Sequence, residues 1–141
     1  MKTRFFGILA LLGACSMAEA LEVGYPFGDH MVLQRGAELP VWGTADAGAQ
    51  VSVKFGNSEV KATAGSDGKW LVKLPEMKAN EVGQELQISS GSDSKIFKDV
   101  LVGDVWYASG QSNMNWQLKL CATGEAAIAD SADEGLRLYN H

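Results

Sequence analysis

Proline, cysteine and histidine are scarce here: three, two and two among 141 residues. Two cysteines cannot build a disulfide scaffold or a zinc knuckle. Twelve Lys and Arg stand against seventeen Asp and Glu, a formal charge of −5. Without a basic excess the chain has no electrostatic footprint for nucleic acid. No apolar stretch reaches the ~20 residues that span a bilayer as a helix. There is no His-x-x-x-His pair and no EF-hand spacing, so no metal site is expected. What is present is apolar content of 46%, too high for a disordered chain, and sixteen glycines. Many glycines with few prolines favour a turn-rich β fold over a helical bundle. The length suits one ordinary domain, or a small domain plus part of another.

The N-terminus reads as an address. Lys2 and Arg4 precede an apolar run from Phe5 to Leu12, and Ala18-Glu19-Ala20 supplies a small-x-small cleavage pattern. Residues 1–20 are therefore expected to be a signal peptide, with an exported product, periplasmic or extracellular. The alternative is a lipobox at Leu12-Gly13-Ala14-Cys15, which would leave a lipid anchor on Cys15. Cys121 has no histidine near it in sequence and is expected to be a buried small hydrophobe rather than a reactive thiol.

Residues 21–99 punctuate like an all-β sandwich. Val51, Val53 and Phe55 alternate with polar residues, as do Val60, Ala62 and Ala64, and Gly56-Asn57 sits between them as a hairpin turn. Ser66-Asp67-Gly68-Lys69 is a second turn, leading into Trp70, Val72 and Leu74 on one face, stopped by Pro75. Leu86 and Ile88 alternate again, Gly91-Ser92-Asp93 turns the chain, and Ile96-Phe97 opens a further strand. Asp46, Asp67 and Asp93 lie beside turn residues, which explains them better than calcium ligation.

After Asp99 the pattern changes. Val100, Leu101, Val102, Val105, Trp106 and Tyr107 form an almost continuous apolar run, the signature of a strand covered on both faces. Good helix formers follow between Thr123 and Asp133, Gly135 is a stop, and Leu136, Leu138 and Tyr139 resemble a strand. Strand, helix, strand is the opening of an α/β domain over residues 100–141. Such a unit cannot bury its faces alone, so the expectation is a domain incomplete at its C-terminus.

The chemistry lies in Ser109-Gly110-Gln111-Ser112-Asn113-Met114, just past the run's carboxyl end. In open α/β sheets that edge is where ligands bind. A serine on a tight turn there can face a substrate while turn N–H groups point at an oxyanion. Gly110 permits the turn, and Gln111 and Asn113 offer polar groups to orient it or the substrate. On spacing alone this is not the Gly-x-Ser-x-Gly elbow, and a serine capping the following helix is the better explanation.

Three sets of residues closely resemble the sialate O-acetylesterase family of SGNH-type carbohydrate esterases: Asp99 to Trp106 with Ser109 to Met114 and Trp116; Asp29-His30-Met31-Val32-Leu33-Gln34-Arg35 with Pro40-Val41-Trp42-Gly43; and Asp67 to Trp70 with Leu136 to Tyr139. They occur in colinear order through nearly the whole mature chain. The resemblance implies an all-β sandwich followed by the first β-α-β unit of an SGNH-type hydrolase domain. It implies that Ser112 is the nucleophile and that its N–H forms part of the oxyanion hole. The substrate implied is an O-acetylated sugar or glycan, with no cofactor. Gly110, Gln111, Asn113 and Trp116 are the expected supports of turn or substrate.

The sequence departs from that family where the base should be. The family takes its histidine from an Asp-x-x-His segment late in a longer domain; Asp130-Ser131-Ala132-Asp133 has the spacing but ends in Asp. His30 reads as a turn or surface residue and His141 as a frayed terminus. The chain by itself is thus expected to be inactive. Trp42, Trp70 and Trp106 are expected in the core, and Trp116 is the tryptophan best placed to line a site. Asp104 is expected either to support the nucleophile turn or to cap a strand end. The competing reading of the whole is a non-catalytic carbohydrate-binding or interaction module, carried by the sandwich alone.

Overall fold

A computed structural model describes residues 20–139. The signal-peptide run, Cys15 and His141 lie outside the described residues. Eight strands form in chain order: β1 Glu22–Val23, β2 Val32–Gln34, β3 Leu39–Thr44, β4 Gln50–Phe55, β5 Ser58–Thr63, β6 Lys69–Leu74, β7 Gln84–Ser90 and β8 Asp93–Gly103. They make a three-stranded sheet, β1-β3-β6, and a five-stranded sheet, β2-β8-β7-β4-β5. Every pairing is antiparallel except that of β2 with β8.

The period-2 alternation read from the sequence decides which face is buried. Val51, Val53 and Phe55 of β4, Trp70, Val72 and Leu74 of β6, and Leu86 and Ile88 of β7 are all buried. With Leu39, Val41 and Val100 they form one core shared by both sheets. Two hairpins close as expected. Gly56 and Gly91 each take positive φ (56° and 58°) at the first position of a two-residue turn, where glycine carries no steric penalty. Asp67 serves its turn by accepting the Lys69 N–H at 3.2 Å. Close approach is also required at Gly43: a Cβ there would stand 2.0 Å from the Glu22 carbonyl oxygen and 2.7 Å from the Trp70 ring.

The described residues are mostly β-sheet with little helix, and they do not show the β-α-β unit expected over 100–141. Val100, Leu101 and Val102 are the end of β8, paired with β7 on one side and β2 on the other. The division expected after Asp99 therefore falls inside a strand. The apolar run does have cover on both faces at its start: Val100 and Val102 belong to the shared core, while Leu101 is buried outside it. Beyond Gly103 the run has no strand partner, and Trp106 and Tyr107 are 88% and 92% exposed. Residues 104–111 and 136–139 are irregular. Between them lie 3-10 turns at Ser112–Asn115 and Leu118–Leu120 and one short helix, α1, Gly124–Ala129. That helix occupies the expected place but ends at Ala129, before Gly135.

Three side-chain expectations are corrected. Trp106 is solvated rather than core, because no strand neighbours it. Trp42 lies on the outer face of β3, partly exposed, against the edge of Phe27 at 4.7 Å. Cys121 is an exposed free thiol at the C-terminal cap of a 3-10 turn, outside the buried core. Trp70 is buried as expected, with its indole N–H unpartnered among the described residues.

Candidate functional site

The stretch carrying Ser112 begins where β8 ends. Parallel pairing sets Gln34 beside Gly103, so the residues after β2 meet the chain as it leaves the sheet. The Arg35 N–H donates to the Gly103 carbonyl at 2.9 Å. The Val105 N–H donates to Gln34 Oε1 at 2.9 Å, while Gln34 Nε2 donates to the Arg35 carbonyl, also at 2.9 Å. The Arg35 guanidinium makes a two-pronged contact with Asp104, Nε to Oδ1 at 2.8 Å and Nη2 to Oδ2 at 2.9 Å. This fork geometry suits Arg and carboxylate. It holds the Asp104 carboxyl below its usual range.

Ser112 opens the 3-10 turn Ser112–Asn115 and is exposed. The turn is held by its backbone: the Met114 N–H donates to the Gln111 carbonyl at 2.9 Å and the Trp116 N–H to the Asn113 carbonyl at 3.1 Å. Gln111, not Ser112, occupies the cap position, and no side chain caps the turn. A Cβ on Gly110 would lie 3.0 Å from Met114 Cγ, so glycine lets the chain fold closely over that side chain. Gly110, Gln111, Ser112, Asn113 and Trp116 are thus gathered on one short exposed turn. The structure places no histidine in a hydrogen bond to Ser112 among the described residues.

His30 is instead part of a cluster that the sequence did not signal. Its Nδ1 lies 2.7 Å from Asp99 Oδ2. Arg137 Nη2 donates to Asp99 Oδ1 at 3.1 Å, and Arg137 Nη1 donates to the Asp99 carbonyl. First His30 and then Arg137 lower the Asp99 pKa. Both His30 and Asp99 adopt positive φ, 61° and 55°, which presents their side chains to each other. The next residues extend the contact: Tyr139 meets Tyr25 edge-on at 5.6 Å. The Tyr139 hydroxyl's hydrogen bond is the main reason the Tyr25 phenol is pushed up to about 12. His30 is a turn residue at the surface, as expected, but a partnered one. Its partners were all within the strings singled out in the sequence; what the sequence withheld was that residues so far apart meet.

Two open clefts, of about 430 and 350 Å³, lie around the β4–β5 turn and the start of β7. Neither is lined by Ser112 or any residue after Val102. Among the described residues no group of three or more His, Cys, Asp or Glu is placed to hold a metal ion. No helix there is long and apolar enough to cross a membrane.

Comparison with known proteins follows the same line. No family model matches the chain. Sialate O-acetylesterase from Rattus norvegicus is 29% identical over 149 aligned positions, covering 95% of this chain and 28% of that protein. The Mus musculus sialate O-acetylesterase is 28% identical, covering 96% of this chain and 28% of its own length. Among solved structures, a carbohydrate acetylesterase from Xanthomonas citri superposes with a TM-score of 0.74 at 34% identity, over 81% of this chain and 26% of that one. The chain therefore spans little more than a quarter of the length of these relatives.

Proposed function

The similarity supports a sialate O-acetylesterase-like family, and from it we propose that this chain is part of an exported serine esterase that removes O-acetyl groups from sialic acid or other acetylated carbohydrates. The observation that carries the proposal is the string Gly110-Gln111-Ser112-Asn113 leading into an exposed 3-10 turn, within a chain similar to acetylesterases over 81–95% of its length. In this reading the Ser112 hydroxyl attacks the acetyl carbonyl and its proton passes to a histidine base. The histidine returns that proton to the sugar oxygen as its C–O bond to the acetyl group breaks, leaving an acetyl-enzyme that water hydrolyses to acetate. The Ser112 N–H stabilises the developing oxyanion, and Asn113 and Gln111 orient the turn or the sugar. Trp116, 61% exposed two residues past Met114, offers a flat apolar surface to a sugar ring. His30 is not assigned the role of base: its Nδ1 faces Asp99, and no hydrogen bond joins it to Ser112 among the described residues.

The test is fluorophosphonate labelling of the native exported product, read as intact mass with peptide mapping. The reading expects one adduct, on Ser112, and loss of both adduct and acetyl-ester turnover in Ser112→Ala. Turnover that survives Ser112→Ala, or an adduct on another residue, would refute it.

A further inference from the structure

Residues 104–139 leave and rejoin the two-sheet body at neighbouring points. They leave at Gly103, and within two residues Arg35 and Gln34 hold Asp104 and Val105 by three side-chain contacts. They return at Arg137, which reaches both the carbonyl and the carboxylate of Asp99, a residue of the same strand β8. Arg137 is the better sheltered partner, its side chain 18% exposed against 41% for Asp99. Between these two points the chain forms no strand, and Ser112 sits on a turn whose hydrogen bonds, among the described residues, run from backbone to backbone. The orientation of that turn relative to the sheets therefore depends on where its two ends are held.

We propose that Arg35 and Asp99 are positioning residues for Ser112: Arg35, through Asp104, fixes the departing end of the segment, and Asp99, through Arg137, fixes the returning end. This rests on the reading of Ser112 as nucleophile. It assigns the β body a part in the reaction without contact with substrate. An ion pair made for general stability would be interchangeable with those elsewhere on the body, such as Lys95 with Glu22 at 2.8 Å, which joins β8 to β1. The two clamps differ from it in that each joins the body to the segment that carries the serine.

The experiment uses the native exported product with four variants: Arg35→Ala, Asp99→Asn, the exchange Arg35→Asp with Asp104→Arg, and Lys95→Ala as a matched control. Asparagine tolerates the positive φ of residue 99, so that variant removes charge while keeping the backbone. Two quantities are read: the rate of fluorophosphonate labelling at Ser112, and amide hydrogen exchange across 104–139 and across β4 and β6. Arg35→Ala and Asp99→Asn are expected to slow labelling roughly 10- to 100-fold, the cost of a displaced nucleophile, with KM for an acetyl ester little changed. Exchange should quicken about tenfold in 104–116 for the first and in 130–139 for the second, with β4 and β6 unmoved. The exchange variant should recover part of the lost labelling, and Lys95→Ala should change neither quantity. Unchanged labelling in both Arg35→Ala and Asp99→Asn would overturn the proposal, as would quickened exchange throughout the body. If the unaltered protein takes no label at Ser112, the nucleophile reading fails; the anchoring then stands or falls on whether exchange quickens locally.

Discussion

Phe55 ends β4 with its ring 1% exposed, in the core that both sheets share. Truncating it leaves a cavity that β-strands tied by ladder hydrogen bonds close only partly. Phe55→Ala is expected to cost about 3–5 kcal/mol, read as a lower urea midpoint at unchanged slope. At this scale alternation made Phe55, Trp70 and Val72 legible, since a period of two sorts buried from exposed within any one strand. It failed at Trp106, whose sequence surroundings are as apolar as those of Trp70. The difference lies outside both strings: Trp70 pairs with Gly43 across β3, whereas Trp106 has no neighbouring strand. Cys121 is likewise exposed, because burial of a small apolar side chain depends on tertiary packing that the local sequence does not state.

At the scale of the element, β8 carries the most consequence. It runs from Asp93 to Gly103 and holds Val100, Leu101 and Val102, all buried. Burying each such side chain contributes about 1.5–3 kcal/mol, against a usual net stability of about 5–15 kcal/mol. A chain of residues 21–99 is therefore expected to be largely unfolded, and one of residues 21–105 to fold. Circular dichroism and thermal melting of the two fragments check this; a cooperative transition in the shorter one would refute it. The hairpins β4–β5 and β7–β8 could be read from the sequence because turn and strands are contiguous. The β2–β8 pair could not, because nothing in Val32-Leu33-Gln34 names its distant partner. That pairing is also why the run after Asp99 is ambiguous in sequence: an apolar strand covered on both faces has the same composition whether it opens a parallel sheet or completes a mixed one.

The molecule as a whole divides its apolar surface unevenly. The core of large buried side chains lies at or before Val102, while beyond Gly103 Val105, Trp106, Tyr107, Leu120, Leu136 and Leu138 are each more than half exposed. Exposure of this many large apolar side chains favours association. The described chain is expected to bind a hydrophobic dye and to associate with rising concentration, and residues 21–105 to do so much less. Sedimentation of both at several concentrations decides the matter, and equal behaviour would count against it. At this scale the family resemblance was the most legible feature, since it rests on strings whose order is visible without any contact. The clamps at Arg35 and Asp99 were not, although every residue in them lies inside those strings.

The parallel pair has one more consequence, for the order in which the body is made. In the five-stranded sheet β2 has β8 as its sole neighbour, and Arg35 lies 69 positions before Asp104. A ribosome adding about 5–20 residues per second needs roughly 3 to 14 seconds to cover that interval. Throughout it the segment around Leu33 waits without its strand, and the sheet has an unfilled edge. The β body thus closes only when β8, its last strand, has been made, and a chain interrupted before β8 is a chain without a finished sheet.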